Sequence, residues 1–181
     1  YSSYVYASEN FVTSVSVGHE YKSGEWKSAT YLQGFDISGL TPKPSSYAEL
    51  SGSPLNQYSL DLYENHLRVV TTQTLGWWPE RNTTNKLWVL KVPDTEENPQ
   101  MVLTGETGHL GKPGEEVKAV RFMENKAYVI TFENTDPFYI LNVSDPTNPL
   151  VLGELEIPGF SSYLHPIQID GVEMMIGVGR Y

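Results

Sequence analysis

The sequence predicts an all-β fold. Short alternating or β-branched segments recur along the 181 residues, and 12 Tyr, 15 Gly and 12 Pro give the aromatic-rich, turn-rich composition typical of β proteins. No stretch of two heptads has apolar residues at i, i+3, i+4 and i+7, which is the pattern of an amphipathic helix. Hydrophobic residues make up 39% of the chain, which is enough for a packed core and argues against disorder.

A hairpin with the same turn chemistry recurs along the chain. Strand, turn and strand follow one another four times, and the turn pairs are Glu9-Asn10, Glu64-Asn65, Glu124-Asn125 and Asp170-Gly171. The first three pairs are 55 and then 60 residues apart. Asn and Asp-Gly tolerate the positive φ that a tight hairpin needs, so each pair predicts a two-residue turn.

A second hairpin follows in the first three copies. Its first strand begins YLQGFDIS at Tyr31, LWVLKVPD at Leu87 and FYILNVSD at Phe138. Its second strand ends in a glycine each time, at Gly52, Gly108 and Gly159. We therefore divide the chain into three four-stranded units, 1–52, 53–108 and 109–159, and a two-stranded half unit, 160–181.

Four antiparallel strands repeated at this period predict the blades of a β-propeller, in which neighbouring blades bury each other's faces. A sandwich or barrel would not require the same turn chemistry at the same phase of every repeat. Because closed propellers have about 4–8 blades, about three and a half blades predict part of a larger ring. Either the parent chain supplies the remaining blades, or a second copy completes the ring.

Two long segments resemble a known family. The run RFMENKAYVITFENTDPFYILNVSDPTNPLVLGELEIPGFSSYLHPI from Arg121 and the run LNQYSLDLYENHLRVVTTQ from Leu55 resemble the secreted bacterial and archaeal β-propeller domain that is distantly related to WD-type repeats. The stretch 138–153 also resembles LVIVD-type repeats with their phrase DVSDPxNP, in which Asn142 here replaces the first Asp. The resemblance implies export and a longer parent propeller, but no activity. The chain starts at Tyr1 without a charged or apolar leader, so we expect a processed piece whose signal peptide is not in this segment.

Composition excludes several function classes. With 12 Lys+Arg against 22 Asp+Glu, the net charge of −10 repels nucleic acid and anionic lipid. No apolar run approaches the roughly 20 residues of a spanning helix, so we expect no membrane span in this segment. The absence of cysteine excludes disulfides, thiolate metal sites and cysteine nucleophiles. Enzyme signatures such as G-x-S-x-G and H-E-x-x-H are also absent, so we assign no catalytic residue and no metal ligand.

The first strand of each blade lines the channel of a propeller, so polar residues there are candidate binding residues. Alignment of the units places Asp61 opposite Arg121 of the next blade, which predicts an ion pair between adjacent blades. His165, in SSYLHPI beside Tyr163, is a candidate for acid–base or metal chemistry because histidine changes charge near neutral pH. The alternative for His165 is a structural role on the inner strand, fixed by the proline that follows it.

Two further features lie in connecting segments. Trp77 and Trp78 fall in a predicted long loop, 73–85, where they form either an aromatic platform for a glycan or protein or a cover over the blade edge. The turn SDPTNP at 144–149 is interpreted as architecture, because Ser and Asp cap backbone amides and two prolines prevent strand extension. Calcium bound by Asp145 is the alternative, and otherwise we expect no cofactor.

These features favour an exported binding or scaffold module of the cell envelope or extracellular space, which recognises a protein or glycan. The alternative is a propeller hydrolase or lyase whose catalytic groups surround the channel and come partly from other blades. Asp61, Arg121, Tyr163 and His165 are the residues available for that chemistry here. The fold cannot decide between the two, because propellers host both kinds of function.

Overall fold

The computed structural model describes residues 2–22, 24–76, 82–94, 97–132, 136–157 and 160–180. The first sheet contains β1 (Ser2–Ala7), β2 (Phe11–Lys22), β3 (Glu25–Asp36) and β4 (Lys43–Ser51). The second contains β5 (Leu60–Tyr63), β6 (His66–Leu75), β7 (Asn82–Lys91) and β8 (Val102–Glu106), preceded by a 3₁₀ turn at Gln57–Ser59. The third contains β9 (Glu116–Met123), β10 (Lys126–Phe132), β11 (Asp136–Asn142) and β12 (Leu150–Ile157). The last sheet contains β13 (Phe160–Ile169) and β14 (Val172–Arg180).

Every sheet is antiparallel and keeps its strands in chain order. Strand order and sheet size match three four-stranded blades and half of a fourth, so the predicted all-β propeller architecture is confirmed. Across the described ranges, no helix is long and apolar enough to span a bilayer.

The repeated turn forms as predicted in three of the four copies. Glu64, Asn65, Glu124, Asp170 and Gly171 have positive φ, between 43° and 79°. The first copy is different, and the prediction of a two-residue turn there is wrong. Ala7 pairs with Val12, so the loop has four residues, and Ser8 closes it by donating its N–H to the carbonyl of Phe11 at 2.8 Å. The wider loop carries the Phe11 side chain into the core between the first two sheets.

The core lies between the sheets, in three apolar layers. The layer between the first and second sheets includes Phe11, Val15, Leu32, Leu50, Leu67 and Val69. The layer between the second and third includes Val70, Leu87, Val89, Val117, Val120 and Leu141. The layer between the third sheet and β13–β14 includes Ala119, Ile130, Phe138 and Leu164. Successive residues of a strand point to opposite faces, which is why Val69 and Val70 belong to different layers.

A buried hydrogen-bond network joins the second sheet to the third. Asn85 donates from Nδ2 to the carbonyl of Glu115 at 3.0 Å, and Thr83 donates to the same carbonyl at 2.7 Å. The Glu115 carboxylate accepts from the Thr131 hydroxyl at 2.6 Å and from the Lys112 N–H at 2.9 Å. Because buried polar groups are costly unless they are paired, this network favours one alignment of the two sheets.

The predicted long loop at 73–85 is wrong in extent. β6 continues to Leu75 and β7 begins at Asn82, and these two residues pair across the hairpin. The polar, Thr-rich sequence extends the strands because β-branched threonines fit a pleated strand. In addition, Thr83 and Asn85 donate hydrogen bonds to the Glu115 carbonyl, next to the third sheet. Trp77 and Trp78 lie outside the described residues, so the aromatic platform predicted there stays a prediction.

The turn at 144–149 is held by its own side chains. Asp145 Oδ1 accepts hydrogen bonds from the Thr147 N–H at 2.9 Å and the Thr147 hydroxyl at 2.6 Å. These bonds lower the pKa of the Asp145 carboxyl, with the Thr147 hydroxyl as the larger cause. The turn packs against β8 of the second sheet at Gly105, where a Cβ atom would lie 2.5 Å from the Pro146 carbonyl oxygen. The architectural interpretation therefore has a physical basis, because the turn contacts the neighbouring blade at a point where only glycine fits.

We expect Gly105→Ala to destabilise the protein by about 1–3 kcal/mol, because the added methyl group must displace backbone atoms of the neighbouring turn. Gly153→Ala is the matched control, since Gly153 also lies at a register shift in the outer strand of its blade and has no atom within 4 Å of an added Cβ. Urea denaturation of the intact protein measures both. Equal midpoints for the two variants would contradict the proposed contact.

Candidate functional site

One cavity of about 490 Å³ is lined by residues from the first strands of all four sheets. Its wall includes Tyr6, Tyr58, Asp61, Arg121, Phe122 and Pro166. β9 lies beside both β13 and the 3₁₀ turn, so the first strands are neighbours around this space. Polar and aromatic groups from separate blades thus converge on the channel, as expected for the innermost strands of a propeller.

Asp61 and Arg121 both lie in the cavity wall, but the predicted ion pair between them does not form. Asp61 pairs instead with Arg68, which lies directly across from it in the β5–β6 register. Arg68 donates from Nε to Asp61 Oδ2 at 3.0 Å and also from Nη2 to the same oxygen. The prediction failed because the cross-strand register brings Arg68 closer to Asp61 than the angle between two blades brings Arg121.

Arg68 provides the contact between blades that was predicted for Arg121. Its Nη1 donates to the carbonyl of Glu124, in the turn of the next sheet. The side chain is only 2% exposed, and the rings of Tyr63 and Phe122 lie 4.8 and 5.1 Å from its guanidinium carbon. Sequence-based prediction missed this residue, although a single arginine inside the apolar run Leu67–Val70 is the available signal. A charge that deep requires a partner, and Asp61 supplies it.

Arg121 has a different environment. Its guanidinium carbon lies 5.2 Å from the centre of the Tyr58 ring, in a cation–π contact. Among the described residues, no carboxylate lies within ion-pair distance of Arg121. A guanidinium carries five N–H donors, and stacking on a ring does not consume them. Arg121 therefore brings to the cavity a positive charge and N–H donors that have no carboxylate partner in the described part of the chain.

Tyr58 connects Arg121 to Tyr163 and His165, the two residues of β13 that the sequence predicted as binding residues. Tyr163 meets the Tyr58 ring edge-on, with centroids 6.0 Å apart and an interplanar angle of 67°. The Tyr163 hydroxyl lies 3.1 Å from Nδ1 of His165, which is exposed. The order Arg121, Tyr58, Tyr163, His165 forms a row that crosses three of the four sheets.

Tyr6 and Tyr58 are two of the wall residues that sequence-based prediction missed. Tyr6 accepts a hydrogen bond from the Leu62 N–H at 2.8 Å, which links the first and second sheets. Burial raises the pKa of the Tyr6 hydroxyl, and the nearby Asp61 carboxylate raises it further against the opposing effects of Leu62 and Arg68. The hydroxyl therefore keeps its proton at neutral pH and remains a hydrogen-bond donor as well as an acceptor. The signal in the sequence is an aromatic residue in each of these inner segments.

An exposed aromatic pair lies away from the channel, near the end of the long β2–β3 hairpin. Tyr21 and Trp26 are cross-strand partners with ring centroids 5.5 Å apart, and they are 63% and 58% exposed. Such a pair offers a large, rigid contact surface at low entropic cost. Sequence-based prediction considered only tryptophans that are adjacent in the chain. It missed this pair because Tyr21 and Trp26 become neighbours only through the hairpin.

In the described part of the chain, no group of three or more His, Asp or Glu side chains is arranged to hold a metal ion. Asp145, the predicted calcium candidate, uses one carboxylate oxygen for the Thr147 bonds of its own turn.

Four-stranded sheets in chain order around a shared inner cavity define a β-propeller. The model of the β-propeller domain family matches residues 1–181, and the chain belongs to this family. The resemblance noted from the sequence is therefore confirmed.

Two archaeal proteins are similar to most of this chain, and both are described as uncharacterized. One, from Methanocaldococcus jannaschii, is 44% identical over 133 residues, which is 73% of this chain and 19% of the relative. The other, from Archaeoglobus fulgidus, is 42% identical over 129 residues, which is 71% of this chain and 18% of the relative. The chain spans about a fifth of the length of these relatives.

We expect Arg68→Met to destabilise the protein by about 1–3 kcal/mol, because it removes the hydrogen bonds of a buried guanidinium to Asp61 and to the Glu124 carbonyl, while the 28% exposed Asp61 carboxylate regains water. Lys112→Met is the control, since the Lys112–Glu156 pair is exposed to solvent and such surface ion pairs contribute little to stability. Urea denaturation of the intact protein gives both values. If Arg68→Met cost no more than Lys112→Met, Arg68 would not be the contact on which this blade junction depends.

Proposed function

We propose that this chain is part of an exported β-propeller binding module of the cell envelope or extracellular space, which recognises a protein or glycan through its channel. One observation carries the proposal. Arg121 lies in the wall of the cavity, held on Tyr58, and has no carboxylate partner among the described residues. A charged group fixed in place before the ligand arrives reduces the entropic cost of binding.

The state of Asp61 supports binding over catalysis. A hydrolase or lyase needs a group that is free to accept or donate a proton. Among the described residues of the cavity wall, Asp61 is the one carboxylate, and it is held by two donors of Arg68. The arrangement provides a fixed cation and aromatic surfaces, which suit recognition.

We further propose that the longer parent chain, and not a second copy, supplies the remaining blades. Within the described residues, β14 is paired on one edge only, and Val172, Ile176 and Val178 on it are 43–59% exposed. The length of the archaeal relatives supports a longer parent. If two copies paired through β14, the shared sheet would have the strand order β13, β14, β14, β13. Its two β13 strands would lie at opposite edges of the sheet, so only one of them could face the channel.

The test compares intact wild-type protein with Arg121→Gln on a glycan array and against purified envelope proteins. We expect the substitution to reduce binding of the recognised ligand at least about 10-fold, because a charge-assisted hydrogen bond contributes about 1.5–3 kcal/mol. Arg180→Gln is the control, since Arg180 is an exposed arginine at the end of β14, outside the cavity wall. A panel on which no ligand depends on Arg121 would contradict the proposal.

A further inference from the structure

We infer that the channel cavity binds a single carboxylate carried on one ring, the chemistry of a uronic acid, either free or at the end of a glycan chain. The inference rests on the proposed binding function and specifies the ligand of that site. Three properties of the cavity carry it: the donors of Arg121, the charge balance of the wall, and the groups around Arg121.

The donors of Arg121 select a carboxylate. The planar guanidinium presents pairs of N–H groups that match the two oxygens of a carboxylate, and such bidentate pairs are stronger and more directional than a lysine contact. The Tyr58 ring, 5.2 Å from the guanidinium carbon, holds Arg121 at the cavity wall. Among the described residues, no protein carboxylate competes for these donors.

The charge balance of the wall favours one negative charge on the ligand. Arg68 neutralises Asp61, so among the described residues of the wall Arg121 carries the one charge without a partner. The chain as a whole carries a net charge of −10, which repels ligands with many negative charges. A ligand with one carboxylate matches Arg121 and avoids that repulsion.

The groups around Arg121 favour a sugar ring as the body of the ligand. Tyr58, which is 39% exposed in the wall, supplies aromatic surface for the apolar face of a ring. The Gln57 side chain and the protonated Tyr6 hydroxyl supply hydrogen-bonding groups suited to sugar hydroxyls. A volume of about 490 Å³ lies within the range of small-molecule sites.

Calorimetric titration of the intact protein tests the inference with four probes. These are glucuronate, glucose, a neutral oligosaccharide with one terminal glucuronate, and a neutral peptide whose only carboxylate is its C-terminus. We expect glucuronate to bind at least about 10-fold more tightly than glucose, because only glucuronate makes charge-assisted bonds to Arg121. Tighter binding of the oligosaccharide than of free glucuronate would assign the ligand to a glycan end, and the reverse would assign it to a free uronic acid.

Three variants identify the atoms responsible. Arg121→Gln should reduce glucuronate affinity to that of glucose, Arg121→Lys should retain part of the preference, and Arg180→Gln should leave it unchanged. Thermal melting of each variant shows whether it is folded. If Arg121→Gln does not fold, Gln57→Ala serves in its place. This variant should reduce the affinities for glucuronate and for glucose by the same factor.

Several outcomes would overturn the inference. Equal affinity for glucuronate and glucose, or a preference that survives Arg121→Gln, would exclude the carboxylate contact while leaving the binding function intact. Tighter binding of the peptide than of either glucuronate probe would exclude the sugar ring. No binding of any probe, together with a melting temperature lowered by several degrees in Arg121→Gln, would show that Arg121 has a structural partner within the intact protein. The proposed function has its own test: it fails if neither the glycan array nor the panel of envelope proteins yields a ligand whose binding depends on Arg121.

Discussion

Face-to-face burial between neighbouring sheets is the constraint on which the structure depends. Each sheet in the middle of the chain is apolar on both faces, as Val69 and Val70 show by packing into different layers. Fully burying a side chain of this size contributes about 1.5–3 kcal/mol, and a blade alone would expose one or both faces. Stability therefore arises at the junctions between blades, as in other repeat proteins. Each junction also determines where the first strands lie relative to one another, and so shapes the channel.

Polar groups determine the relative orientation of neighbouring sheets, which apolar packing alone does not fix. Apolar contacts are non-directional and tolerate small rotations, whereas the hydrogen bonds of Glu115 with Thr131 and of Asn85 with the Glu115 carbonyl do not. Arg68 acts similarly at the channel end of the same junction through Asp61 and the Glu124 carbonyl. The cavity wall is thus built on junctions that are fixed by directional contacts, as a preorganised binding site requires.

Arg68 and Arg121 show how position in the fold decides what an arginine does. Arg68 lies between two sheets, covered by two rings and paired with a carboxylate, so its charge is used to hold the blades together. Arg121 lies on an innermost strand, is half-buried, and rests on one ring. No described acidic side chain pairs with its donors, and the proposed binding function assigns them to a ligand. The channel therefore gains a cation in a chain that is otherwise strongly acidic.

Local signals in the sequence determined the all-β class, the blade repeat, three of the four tight turns and the strands that line the channel. Strand alternation and positive-φ turns depend on residues close in sequence, so they are readable without a structure. The two-residue turn at Glu64-Asn65 also places Arg68 across from Asp61, a local pairing that the comparison between blades overlooked. Only the tertiary structure decided that Arg68 reaches the Glu124 carbonyl, that Tyr58 joins Arg121 to Tyr163, and that β6 and β7 extend beyond the predicted loop. The contacts of Arg68 and Tyr58 with other blades depend on the angle between neighbouring blades, which is set by packing across the junctions, where residues far apart in sequence meet.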